Sequence, residues 1–123
     1  SYARLGSFKA PRYVTWSSEN RSQLIRIPAA EGEFRRAELR SADPMANPYI
    51  AFALLIHAGL DGIEKRLDLP KPADINLYTA PPSVLDGYRR LPASLAEAAA
   101  AAERSEFIAE HLPEAVARAY FGR

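Results

Sequence analysis

The fold is decided by one stretch of the sequence, Arg36-Ala37-Glu38-Leu39-Arg40-Ser41-Ala42-Asp43-Pro44-Met45-Ala46-Asn47-Pro48-Tyr49. Side chains alternate between the two faces of a β-strand, so Arg36, Glu38 and Arg40 are predicted to share one face. After a turn, Asn47 is a typical helix N-cap and Pro48 suits the first helical position. A strand with a charged face followed by a long helix is therefore predicted here.

Outward from this stretch, β-branched and aromatic runs bounded by turn residues predict short strands over about 11–16, 23–28 and 33–40. Neighbouring short strands with short connections are most simply antiparallel. The helix, predicted over 48–66, is apolar on nearly every side in its first turns, so it is expected to be buried beneath the sheet. The prediction is an α+β fold, with a small antiparallel sheet packed on this buried helix.

The rest of the chain predicts a Pro-rich, irregular loop over 67–91 and then a group of C-terminal helices. Ser94-Leu95-Ala96-Glu97 has the form of a capping box that begins the first of these helices. Ser105 and Pro113 are in turn expected at the starts of the two shorter helices that follow.

Composition limits the function. The 123 residues are enough for one domain, and the net charge of +1 gives no reason to expect nucleic acid or an anionic membrane as a partner. The longest apolar run, residues 49–60, is too short to span a bilayer. The sequence contains no cysteine, which excludes disulfides and thiolate metal sites and fits a reducing, cytoplasmic compartment.

Several arginines are expected to converge on the Glu38 carboxylate. Arg36 and Arg40 flank it on its strand, and Arg26 must point away from the apolar face of the preceding strand. If these strands pair, the guanidiniums crowd together, and like charges so close are destabilising unless an anion neutralises them. Two interpretations remain: a site for a phosphoryl or carboxylate anion, or a solvated strand face whose charges cancel. Glu38 alone is too little for a catalytic metal site, so further ligands would have to come from absent chain.

Five motifs occur in order along the chain: Ser1-Tyr2-x-Arg4-Leu5, Asn20-Arg21-Ser22-x-x-Ile25-Arg26-Ile27-Pro28, Glu38-Leu39-Arg40-x-x-Asp43-Pro44-x-Ala46-Asn47-Pro48-Tyr49, Ala58-Gly59-Leu60-Asp61-Gly62-Ile63 and Asn76-Leu77-Tyr78. Together they closely resemble bacterial glutamine synthetase. The resemblance implies that residues 1–123 are the C-terminal segment of the family's catalytic domain. Such a segment is expected to be inactive alone and to belong to a full-length homo-oligomer.

The family joins ammonia to glutamate with ATP as co-substrate, through a γ-glutamyl phosphate and with bound Mg²⁺ or Mn²⁺. The resemblance implies a role for each matching residue: Glu38 as a metal ligand, Arg4 and Arg40 for glutamate, Arg21 as the catalytic residue that stabilises the transferring phosphoryl group, Arg21, Arg26 and Arg36 for the ATP phosphates, and Tyr78 as a possible modification site. These roles fit a phosphoryl transfer that relies on positioning and charge neutralisation.

One residue departs from the family pattern. Lys9, in Phe8-Lys9-Ala10-Pro11, stands where the family has a flap glutamate that helps to deprotonate ammonium, and its loop is one residue shorter. A cation there would repel ammonium and is a poor base at neutral pH. Two alternatives therefore stay open: a γ-glutamyl–amine ligase of the same fold acting on a polyamine or another amine, and a non-catalytic homologue that binds nucleotides or anions.

Overall fold

The computed structural model of the protein describes residues 2–7 and 9–122. Ser1 and Phe8, which belong to motifs quoted above, and Arg123 lie outside the described residues. The chain divides into two compact units. The first unit contains the described residues up to Pro44 together with Pro70–Leu91, and the second contains Met45–Leu69 together with the described residues from Pro92 onward. All the candidate site residues fall in the first unit.

The first unit is built on a three-stranded sheet in the order β1-β2-β3. The strands are β1, Trp16–Ser17, β2, Ile25–Arg26, and β3, Glu38–Leu39. β2 and β3 are antiparallel as predicted, and Arg26 lies opposite Glu38. β1 and β2 are parallel, so the prediction of a wholly antiparallel sheet is wrong for this pair. The reason is that the chain after β1 does not form a hairpin. It enters a turn in which the Ser17 hydroxyl accepts hydrogen bonds from the amides of Glu19 and Asn20.

The strands are also shorter than the predicted 11–16, 23–28 and 33–40. Within the first of these ranges, Tyr13 forms an antiparallel bridge with Arg90, a partner too distant in sequence for a local pattern to indicate. The start of the third range forms a 3-10 turn over Gly32–Phe34. Gly32 has a φ of +57°, a left-handed conformation that breaks an extended strand.

A buried glutamine attaches the Pro-rich segment to the sheet. The Gln23 side chain is completely buried, and its amide nitrogen donates to the carbonyl oxygens of Ala73 at 2.7 Å and Ile75 at 2.9 Å. The segment 67–91 is irregular as predicted, apart from the single helical turn α2, Pro82–Leu85. The irregular backbone is thus held by side-chain hydrogen bonds instead of by a strand ladder.

The second unit begins with α1, Pro48–Glu64. Its start follows the prediction, because the Asn47 side-chain oxygen accepts hydrogen bonds from the amides of Tyr49 at 3.0 Å and Ile50 at 3.3 Å. The helix ends two residues earlier than predicted, with Lys65 as its C-cap. The Asn47 side chain therefore sets the start of this helix.

The burial predicted for this helix is not seen within its own unit. None of the α1 residues, all of which the structure describes, is buried, and Phe52 and Ile63 are 64% and 73% exposed. Within its unit α1 contacts α4, Glu106–His111, and one short helix can cover only one side of a helix that is apolar all round. The sheet belongs to the first unit and α1 to the second, so neither unit contains the expected core of sheet on helix.

The C-terminal helices complete the second unit. They are α3, Leu95–Glu103, α4, and α5, Glu114–Phe121. The capping box forms, because the Ser94 hydroxyl accepts from the Glu97 amide at 3.2 Å and the Glu97 carboxylate accepts from the Ala93 amide at 2.9 Å. The rings of His57 on α1 and His111 on α4 stack with centroids 4.3 Å apart. Among the described residues, no helix has both the length and the apolar content needed to cross a membrane.

Candidate functional site

The candidate site begins at Glu38, whose carboxylate lies between two arginines. Arg26 Nη1 donates to Glu38 Oε1 at 3.2 Å and to Oε2 at 3.1 Å, and Arg36 Nε donates to Oε1 at 3.2 Å. Antiparallel pairing places Arg26 directly across from Glu38, and the strand period places Arg36 on the same face. The guanidiniums do converge, and Glu38 itself provides the negative charge between them.

These contacts perturb the carboxylate. The hydrogen bond from Arg26 is the largest cause that lowers the pKa of Glu38 below its ordinary value of 4.5, and the bond from Arg36 lowers it further. Glu38 is therefore ionised at neutral pH and available as an oxygen ligand. The described residues contain no group of three or more potential metal-ligating side chains, so this part of the chain offers one carboxylate toward a site that needs several ligands.

Two of the site's arginines keep an unused donor. The Nε–H groups of Arg26 and Arg40 are buried and have no hydrogen-bond partner among the described residues. A buried donor without an acceptor is costly, and in native proteins such groups usually find a partner. An anion such as a phosphate or a carboxylate is the acceptor that suits a guanidinium best.

A second cluster surrounds Arg40. Its Nη2 donates to the Lys9 carbonyl oxygen at 2.6 Å, and the neighbouring carbonyl, of Ala10, accepts from the Tyr78 hydroxyl at 3.1 Å. Burial raises the pKa of Tyr78 above its ordinary value of 10.0, and the charge of Arg40 opposes this shift. The hydroxyl is therefore protonated and able to donate at neutral pH. The Lys9 side chain itself is exposed.

The remaining predicted residues occupy different settings. Arg4 Nη2 donates to the Ala42 carbonyl at 2.9 Å and also to that of Ser41, so Arg4 is joined to the turn that follows β3. Arg21 is exposed, and its guanidinium contacts no partner among the described residues. The structure thus groups Glu38 with Arg26 and Arg36, and separately groups Arg40 with the Lys9 loop, while Arg21 stands apart.

Sequence reasoning missed the residues that hold this site together. Gln23 was not predicted as a structural residue. It lies two residues before Ile25, so both fall on the same strand face, where an apolar side chain would be expected if that face is buried. A polar residue at such a position is a signal for a buried hydrogen-bond network. The contact between Tyr78 and Ala10 has no local signal, because the two residues are far apart in the sequence.

Comparison with known proteins supports a family assignment. Residues 1–122 match the family described as glutamine synthetase, catalytic domain. A glutamine synthetase of Methanosarcina mazei is 45% identical over 119 residues, which cover 94% of this chain and 27% of that relative.

Bacterial relatives agree. A glutamine synthetase of Staphylococcus aureus is 43% identical over 115 residues, or 91% of this chain and 26% of the relative. One of Staphylococcus epidermidis is 51% identical over 79 residues, or 63% of this chain and 18% of the relative. The chain thus spans about a quarter of the length of the M. mazei and S. aureus relatives. The chain therefore belongs to the glutamine synthetase catalytic-domain family.

Proposed function

We propose that this chain is the C-terminal segment of the catalytic domain of an ATP-dependent glutamate–ammonia ligase. Membership of the glutamine synthetase catalytic-domain family supports this proposal. The structural observation that carries it is the Glu38 carboxylate held by Arg26 and Arg36. In addition, the Nε–H groups of Arg26 and Arg40 have no acceptor among the described residues. Such a site suits two anionic substrates.

The proposed reaction has two steps. A γ-carboxylate oxygen of glutamate bonds to the γ-phosphorus of ATP, and ADP leaves with the electron pair of the broken P–O bond. The nitrogen of the amine then attacks the γ-carbonyl carbon, inorganic phosphate leaves, and the amine loses a proton. Each step moves negative charge, so fixed guanidiniums can lower both barriers.

The residues of this chain supply binding and charge in this scheme. Arg26 and Arg36 would hold ATP phosphates, because both already converge on one anion, Glu38. Arg21, exposed and without a partner among the described residues, is available to the transferring phosphoryl group. Arg40, with its unused buried Nε–H, would hold a carboxylate of glutamate.

Arg4 is the other residue proposed for glutamate. One of its terminal nitrogens is engaged by the Ser41 and Ala42 carbonyls, so it would also fix the turn beside Arg40. Glu38 would contribute one ligand to bound Mg²⁺ or Mn²⁺, and such an ion neutralises charge on nucleotide phosphates. The other ligands would have to come from residues outside those described here.

The test uses complementation. We expect the 123-residue chain alone to release no ADP, and the chain completed with the remaining part of a glutamine synthetase catalytic chain to release ADP only when ATP, glutamate and an amine are present. Glu38→Ala in the completed enzyme should abolish turnover, whereas Glu33→Ala, at an exposed acidic residue of the same connection, should leave it unchanged. If the completed enzyme releases no ADP with any amine tested, the ligase proposal is wrong.

A second candidate keeps the fold and changes the amine. Lys9 is exposed and accepts a hydrogen bond from Arg40 through its backbone carbonyl, and the positive charge of its side chain is expected to repel ammonium. A γ-glutamyl–amine ligase would then use a polyamine or another amine as acceptor. A screen of amines on the completed enzyme separates the candidates, because a clear preference for ammonia would rule this one out.

A third candidate is a homologue that binds nucleotide or another anion without turnover. Calorimetry that detects ATP binding by the completed protein, together with no ADP release, would support it.

For the ligase we also infer a cytoplasmic location and assembly into a homo-oligomer. Sedimentation of the completed enzyme would test the assembly.

A further inference from the structure

The N-terminal turn next to Arg40 is held by more than its own backbone. Inside the turn, the Gly6 amide donates to the Ala10 carbonyl at 3.1 Å, and the Ala10 amide donates to the Ser7 carbonyl at 2.8 Å. Lys9 has a φ of +64°, a left-handed conformation that side chains with a Cβ rarely adopt. A turn with such a residue needs outside contacts to stay in one conformation. We refer to this feature as the Gly6–Ala10 turn.

Two side chains from other parts of the first unit provide those contacts. Arg40, one residue past β3, donates to the Lys9 carbonyl, and Tyr78, in the Pro-rich segment, donates through its hydroxyl to the Ala10 carbonyl. The two acceptors are consecutive carbonyl groups. Movement of the peptide at Ala10 therefore also moves the group that Arg40 binds.

Hydrogen bonds hold the backbone around Tyr78 in place. Its amide donates to the Asn76 side-chain oxygen at 3.0 Å, and the preceding residue, Leu77, is buried and donates through its amide to the Ser22 hydroxyl at 2.9 Å. The segment before it is fixed by Gln23. The Tyr78 hydroxyl therefore projects from a segment that several hydrogen bonds hold in place. It contacts the Gly6–Ala10 turn, in which Lys9 has a left-handed φ.

We propose that Tyr78 is a positioning residue for Arg40, which it aligns by holding the Ala10–Pro11 peptide and, through the Ala10 Cα, the adjoining Lys9–Ala10 peptide. The hydroxyl fixes the Ala10 carbonyl, this fixes the neighbouring Lys9 carbonyl, and Lys9 in turn fixes one terminal nitrogen of Arg40. The Arg40 guanidinium is then held in a constant orientation. The role of Arg40 in binding glutamate rests on the proposed function, whereas the link from Tyr78 to the turn does not.

Hydrogen exchange of the 123-residue chain, followed residue by residue by NMR, tests the link. Tyr78→Phe removes only the hydroxyl, and the amides of Gly6 and Ala10 should then exchange roughly three- to tenfold faster, as expected for the loss of one net hydrogen bond. The amides of Ile25 and Arg40, which belong to the sheet's hydrogen-bond ladder, should be unchanged and so show that the unit remains folded.

The matched control is Tyr88→Phe, in the same unit, because the Tyr88 ring packs edge-on against Tyr13 and its hydroxyl donates to no described residue. This variant should leave exchange in the turn unchanged. The proposal is overturned if Tyr78→Phe alters exchange at Gly6 and Ala10 by less than about twofold, or no more than the control does.

The second readout is kinetic, in the completed enzyme. Tyr78→Phe should raise the KM for glutamate several-fold and leave the KM for ATP unchanged. A general loss of stability would not change one KM value without the other. An enzyme that turns over with an unchanged KM for glutamate would show that Tyr78 does not position Arg40. Faster exchange in a chain whose completed form has no ligase activity would instead keep the link and reject the proposed function.

Discussion

Replacement of Gln23 by leucine is expected to destabilise the first unit strongly. Leucine has nearly the same size as glutamine but cannot donate a hydrogen bond. Gln23 is fully buried, and its amide nitrogen donates to the carbonyls of Ala73 and Ile75, so Gln23→Leu leaves both acceptors without this donor. The Gln23→Leu substitution therefore tests whether hydrogen bonds hold the Pro-rich segment, which contains Tyr78, against the strand that contains Arg26.

The expected magnitude follows from the partners that remain. Ala73 is itself buried, and its carbonyl would be left unsatisfied, at a cost of about 1–3 kcal/mol. The Ile75 carbonyl would keep a bond from the Ser22 hydroxyl at 3.4 Å, so its loss is one net hydrogen bond, about 1 kcal/mol. The Thr15 hydroxyl, which donates to the Gln23 side-chain oxygen, would keep its 3.4 Å bond to the Tyr13 carbonyl, so it also loses one net hydrogen bond, about 1 kcal/mol. The free energy of unfolding should thus fall by about 3–5 kcal/mol, a large part of the roughly 5–15 kcal/mol typical of a native protein.

Urea unfolding followed by tryptophan fluorescence measures this change. The sequence has one tryptophan, Trp16, whose Nε1 donates to the Pro70 carbonyl at 2.7 Å, so its fluorescence reports on the first unit. With a urea dependence of about 1–3 kcal/mol/M, the midpoint should fall by about 1–5 M, or the unit should be unfolded without urea.

The control is Thr79→Val, which removes an exposed 3.4 Å hydrogen bond to the Asn76 carbonyl in the same segment and should change stability by less than about 0.5 kcal/mol. A loss of less than about 1 kcal/mol in Gln23→Leu, or a loss equal to the control, would refute the reasoning.

Three further predictions concern single residues. The Glu38 carboxyl should titrate below pH 4.5, so the stability that its bonds contribute is present above this pH and is lost as the pH falls through the lowered pKa. NMR titration should show that Arg26→Gln raises this pKa more than Arg36→Gln does, because the Arg26 hydrogen bond is the larger cause. Gly6→Ala should destabilise the first unit by about 1–2 kcal/mol in urea unfolding, since Gly6 has a φ of +85°. Asn47→Ala should cost the second unit about 1 kcal/mol by loss of the α1 cap, detectable by circular dichroism during thermal unfolding, whereas Asn47→Asp should keep most of it.

Local chemistry was predictable from the sequence. The N-cap at Asn47 and the capping box at Ser94 form because their donors lie two to four residues away, within reach of any sequence pattern. The alternation that puts Arg36 and Glu38 on one face also needs only the strand period. It was sufficient to indicate that arginines would surround a single carboxylate.

Long-range pairing was not predictable in the same way. The bridge between Tyr13 and Arg90 and the parallel pairing of β1 with β2 depend on where distant segments meet, and no local pattern records this. The exposure of α1 has a different cause. Its apolar composition correctly indicates that the helix is suited to burial, but burial also requires surfaces to cover it, and within its unit α4 covers one side only.

The two unused Nε–H groups indicate what kind of ligand set the site can accept. Arg26 lies across from Glu38, whereas Arg40, two residues further along the chain, contacts the Lys9 carbonyl. Residues two apart in an extended chain are separated by about 7 Å, which is beyond the span of one small oxyanion. Two separate acceptors, a phosphate near Arg26 and a carboxylate near Arg40, can satisfy both donors, whereas one inorganic phosphate can satisfy only one. Because Glu38 offsets the positive charge of Arg26 and Arg36 before any substrate arrives, these two guanidiniums can converge without a bound anion.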